Sequence, residues 1–164
     1  MVQQRMGVVM ASEDELALWL GRELSVAQGN ATQEILFTDI AEQVEQGTPF
    51  ADAVADVTRH DARAGDFGIE VVGSLVAMAL LDGLKVFWAS YLKQLEEKAG
   101  KSLADMTLDF IKSRFRADVN GAASPAIEAD VSKAVAASGT KLGIGPADMQ
   151  PTLSAVRTAL SGSL

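Results

Sequence analysis

The stretch IEVVGSLVAMALLDGLKVFWASYLKQLEEKAG, residues 69–100, decides the fold. It is longer than an ordinary globular helix. On a wheel of about 100° per residue, Glu70, Ser74, Asp82, Lys85, Lys93, Glu96 and Glu97 share one half. Val72, Gly73, Val76, Ala77, Leu80, Leu84, Phe87, Tyr91 and Leu95 share the other, which turns polar at Ser90, Gln94 and Lys98. Val71, Leu75, Met78, Leu81, Trp88 and Leu92 interrupt the polar half, so 71–81 is apolar nearly all round. Such a helix sits at the centre of a bundle, covered on most sides. Asp82–Gly83 is a candidate bend or break within it. The small-residue pairs Gly73/Ala77 and Ala79/Gly83 permit a second backbone to come close.

Read as a membrane span, the helix falls short. Its uncharged run Val71–Leu81 has 11 residues, against about 18–20 needed to cross the hydrocarbon core. Trp88, Tyr91 and Lys93 nevertheless suit a membrane interface. A conditional form, with the helix buried until a trigger releases it, therefore stays as an alternative.

Outward from this helix, the chain reads as helices divided by stop signals. Ser12 with Glu15 forms a capping box, and Glu13, Asp14 and Glu15 complement the dipole of a helix running to about Val26. Met1–Met10 before it reads as a short strand or an extended arm, too short for an export signal. A second helix spans about Thr32–Gln46, with Leu36, Phe37, Ile40, Ala41 and Val44 in one stripe. Asp39, Glu42 and Glu45 lie opposite that stripe and Glu34 at its edge. Thr48–Pro49 opens a third helix, with Phe50, Ala53, Val54 and Val57 facing inward. After Gly100, Ser102 caps a fifth helix reaching about Arg116.

The expected fold is all-α: a bundle of about five helices around a long central apolar helix at about 69–99. The bundle domain covers 1–118, a linker covers 119–126, and a small helical C-terminal appendage covers 127–164. Within that appendage, Ile127–Ala137 and Pro151–Leu160 read as short weak helices around a Gly/Pro loop. The absence of any aromatic residue after Phe115 makes it a poor core-former on its own.

Of 164 residues, 22 are acidic and 14 basic, giving a net charge of −8. Residues 1–66 hold 12 acidic and 4 basic residues, whereas 67–164 hold 10 of each. The whole excess thus belongs to the first two fifths, and 85–116 leans basic with 7 basic residues to 4 acidic. Such a balance argues against nucleic acid as a partner, since the basic stretch places its aromatics on apolar faces. Zero cysteine excludes disulfides, thiolate metal sites and a Cys nucleophile, and is compatible with the cytoplasm.

Catalytic signals are weak. Asp52, Asp56 and His60 follow at i,i+4 spacing on one ridge. That spacing matches no Ca²⁺ loop, and a solvated ridge accounts for it. Gly143–Ile144–Gly145 lacks the third glycine, the strand and the acidic residue of a dinucleotide fingerprint. The Asp66–Phe67–Gly68 triplet has no other kinase element around it. No catalytic residue, cofactor or metal is therefore assigned.

The expectation is a non-enzymatic protein-binding or assembly module, cytoplasmic and self-associating. Trp19, Leu80, Leu84, Phe87, Trp88 and Tyr91 are its candidate partner or membrane contacts. Glu34, Asp39, Glu42 and Glu45 form its candidate acidic surface, suited to a basic partner. The alternative is a conditionally membrane-active effector using 68–95.

Overall fold

The computed structural model describes the backbone of residues 2–64 and 68–161, with side chains at 13–58 and 73–161. Every regular element among the described residues is helical. The order is α1 (Val2–Gln28), α2 (Ala31–Glu45), α3 (Phe50–Ala64), α4 (Gly68–Ala99), α5 (Leu108–Val119), α6 (Ser124–Lys141) and α7 (Pro146–Leu160). Helix α4 is the long central apolar element. It packs on α1, α3 and α6, and more lightly on α2 and α7.

The connections follow local chemistry. Asn30 caps α2 by accepting from the Gln33 backbone N–H at 3.0 Å. Ser25 Oγ lies 2.8 Å from Gln33 Oε1, so a buried polar pair ties α1 to α2. Gly47, at φ +101°, supplies the turn between α2 and α3 that other residues adopt only with strain.

Three boundaries differ from the sequence expectation. Helix α1 begins at Val2 and not at Ser12, so Met1–Met10 is neither strand nor extended arm where it is described. The run holds Gly7 but no proline, and a helix once nucleated extends at little cost through a capping signature in its interior. Ser102 caps only the single 3-10 turn Leu103–Asp105. Met106 is extended, and Thr107 then caps α5 by accepting from the Phe110 N–H at 3.1 Å. Two caps in succession make a turn and a helix where one longer helix was expected.

The third difference is the largest. Only residues 120–123 connect α5 to α6, the rest of 119–126 being helical, and the helices beyond run 18 and 15 residues. Their Ile127, Val131, Val135, Met149, Val156 and Leu160 belong to the same buried cluster as Leu80, Leu84 and Trp88. The described part of 127–164 thus shares the core of the bundle, and the seven helices are the five expected around α4 and the two expected beyond them, both of these longer than expected. This region needs no aromatics because small residues let it come close. A Cβ placed on Gly83 would lie 2.6 Å from Val135 Cα and 2.8 Å from Val135 N. Beside that crossing, Ser138 Oγ donates to Asp82 Oδ2 at 3.0 Å. Asp82–Gly83 is accordingly a docking point in an unbroken helix. Gly139 makes the corresponding approach on α6, where Met149 of α7 covers it.

Candidate functional site

The apolar candidates come first. Leu80, Leu84, Phe87, Trp88 and Tyr91 are all buried, with Leu84 and Trp88 fully so. They line the inside of α4 and meet side chains from α1, α5 and α6. Trp88 packs tilted against Phe115 with ring centroids 4.8 Å apart, and edge to face against Tyr91 at 5.3 Å. Trp19 is half-buried beside this cluster, 6.1 Å from Phe115 and 6.3 Å from Trp88. Lys112 Nζ lies 5.5 Å and Arg116 Cζ 5.1 Å from the Trp19 ring centre, a cation–π cover on its outer side. Five of the six are core residues and Trp19 lies half-buried beside them, so little of their surface is exposed. The expectation rested on an apparent excess of apolar surface over what a small bundle needs; α6 and α7 cover much of it.

Among the described residues, Tyr91 stands out electrostatically. Its hydroxyl donates to Asp118 Oδ2 at 2.7 Å. Burial, then the hydrogen bond and the negative charge of Asp118, push the phenol well above its ordinary range. Arg114 lies 3.8 Å from Asp118 Oδ1 and opposes that rise. Tyr91 is accordingly a neutral structural donor.

The acidic candidates are on the surface. Asp39, Glu42 and Glu45 are exposed and Glu34 is half-buried. The buried residues of α2 are Gln33, Leu36, Phe37 and Ile40, which leaves the acids on the opposite arc. Within that arc stands Ile35, which is 61% exposed. Ile35, Asp39 and Glu42 follow at i, i+4 and i+7, so the apolar side chain rides on the acidic ridge. The wheel carried this signal: Ile35 falls on the polar face, outside the apolar stripe. None of Glu34, Asp39, Glu42 or Glu45 forms an ion pair with a described residue. The described pairs join Lys85 to Asp14 at 3.1 Å, Arg114 to Asp118 at 3.8 Å and Arg116 to Glu23 at 4.0 Å. Residues 13–58 hold 10 acidic side chains and one basic, Arg22.

The Asp52–Asp56–His60 ridge lies partly outside the described side chains, because His60 is beyond them. Asp52 is exposed, and Asp56 accepts from Gln43 Nε2 at 3.0 Å. Among the described residues no three His, Asp or Glu side chains converge as a metal site. Gly143, at φ +76°, ends α6, and Gly145 stands at the start of α7, so the Gly-Ile-Gly loop is a helix connection. Asp66 and Phe67 of the kinase-like triplet lie outside the described residues.

Two clefts flank α4. One, of about 490 Å³, opens between α4 and α6, with Phe87, Tyr91 and Ile127 as its floor. Lys98, Lys133, Asp118 and Asp130 mix both signs around it. The other, of about 310 Å³, lies between α3, α4 and the end of α6, over Phe50, Val54 and Leu81. Lys85, Lys141 and Asp82 border it. Neither presents one dominant charge or a convergent polar set of the kind that orients a small ligand. No known family model, curated protein or solved structure matches this chain.

Proposed function

We propose that this chain is a non-enzymatic protein-binding module that meets a basic partner through the outer ridge of α2. The observation that carries the reading is the ridge itself: Ile35 stands exposed among Asp39, Glu42 and Glu45, with no described cation in ion-pair contact. An exposed apolar side chain at the head of a ridge of one charge combines an anchor with an electrostatic guide, as transient interfaces do. Unneutralised carboxylates also speed encounter with a positive surface and select against negative ones. A cytoplasmic site of action belongs to the same proposal, supported by the cysteine-free chain.

Affinity capture tests it. The wild-type chain is expected to retain a basic protein in stoichiometric amount, released as salt rises. Reversing the ridge with Asp39→Lys, Glu42→Lys and Glu45→Lys should abolish retention while leaving the helical circular dichroism intact. Equal retention by the reversed chain would overturn the reading.

A second reading rests on α4. Its residues Gly73–Ala99 are long and apolar enough to cross a membrane, with mean hydropathy 1.5, although 61% of that window is buried inside the bundle. Release of this helix would need the α1, α3 and α6 contacts to open together. Liposome co-sedimentation at neutral and low pH distinguishes the readings, because the docking module stays in the supernatant under both conditions.

A further inference from the structure

Four large apolar side chains stand exposed among the described residues: Val26, Ile35, Val86 and Phe110. Ile35 stands at the head of the acidic ridge of α2. Phe110, 40% exposed on α5, has the opposite surroundings. Lys101 Nζ lies 5.7 Å from its ring centre, and exposed Arg114 follows it at i+4 on the same ridge. Lys101 has no ion pair with a described residue. Arg114 makes only the long contact of 3.8 Å to Asp118, a carboxylate already held by Tyr91. Asp109 precedes Phe110, but its side chain projects about 100° away round the helix.

We infer that the partner for the α2 ridge is a second copy of this chain, presenting the Phe110–Lys101–Arg114 patch. This rests on the ridge being a docking surface and names what docks there. The two patches match in kind: one exposed apolar anchor each, with carboxylates beside the first and cations beside the second. Helices of 15 and 12 residues lie side by side over about 18–22 Å. That length gives a contact at the small end of specific interfaces, in exchange with free monomer. Because ridge and patch are different surfaces, copies join head to tail unless both contacts close about a two-fold axis. The overall charge of −8 opposes association at long range. Screening removes that repulsion beyond about 10 Å at 0.1 M salt and leaves adjacent opposite charges attracting.

A charge swap tests the pairing. Variant one carries Asp39→Lys and Glu42→Lys; variant two carries Lys101→Glu and Arg114→Glu. In sedimentation velocity at about 0.1 M salt, wild type is expected to show concentration-dependent association, and each variant alone to run as a monomer. An equimolar mixture of the variants is expected to regain association, since the reversed ridge meets the reversed patch. Two monomeric variants that fail to associate on mixing would overturn the inference, as would wild type that stays monomeric. If wild type stays monomeric yet retains a basic protein through the ridge, the ridge stands as a docking surface and the self-partner alone is lost. If the wild type associates but the α2 reversal leaves that association intact, the ridge reading falls with it.

Discussion

Trp88 has no solvent exposure, and its Nε1–H finds no hydrogen-bond partner. An orphaned buried donor costs about 1–3 kcal/mol. The ring is retained for its packing against Phe115, Tyr91 and Phe87. Trp88→Phe removes the orphan along with part of the ring, so the two effects oppose each other. It is expected to cost about 1 kcal/mol in urea denaturation, against about 3–5 kcal/mol for Trp88→Ala. Equal losses would show that the indole makes a polar contact. Tyr91 gives a second test. It is the chain's one tyrosine, with a phenol held above the ordinary value of 10.0 by burial and by Asp118. A raised folded value means stability is intact below the unfolded value and is lost as pH climbs past about 10. Absorbance titration should therefore show no tyrosinate in the folded protein near pH 10, and ionisation should coincide with loss of helical signal. Tyrosinate forming near pH 10 with the helices intact would contradict it.

Among the elements, the α4–α6 crossing bears most of the argument. Gly83 admits the α6 backbone, and a methyl group there meets Val135 Cα at 2.6 Å, where no side-chain rotation gives relief. Gly83→Ala gains about 1 kcal/mol of helix propensity and is expected to lose more, for a net destabilisation of about 1–3 kcal/mol. Gly73→Ala is the control: no heavy atom outside its own helix lies within 4 Å of the added methyl group. Thermal melts of the two variants check the pair, and Gly73→Ala should be neutral or stabilising. The Ala79/Gly83 pair was legible in the letters, as were α2, α3 and α4, whose apolar residues recur at helical spacing. Helix α6 was harder to read. Its buried residues are Val and Ile with Ser138 and Gly139, small side chains whose value depends on a partner backbone. Composition alone makes such a helix look weak. The start of α1 escaped for a related reason, since a capping pattern inside a helix resembles one at its end.

Across the whole molecule, burial and charge sort the candidate contacts into two groups. Phe87, Trp88 and Tyr91 turn inward, and α6 packs against α4 more extensively than any other helix. The two helices beyond 124 were legible as helices, but their length and their packing onto α4 were not. The acids of α2 were legible because a polar arc opposite an apolar stripe has nowhere to go but solvent. Ile35 and Phe110 were not singled out, since an apolar residue gains meaning as an anchor only when the surface around it is known. What is left for a partner is charge with an isolated apolar anchor, so any association should be governed by ionic strength. The most direct measurement is the solution mass by light scattering as salt rises from about 0.1 M to about 1 M, where the Debye length falls from about 10 Å to about 3 Å. The account predicts a mass above 17.3 kDa at the lower salt that falls to the monomer value at the higher. An oligomer unmoved by salt, or a monomer throughout, would contradict it.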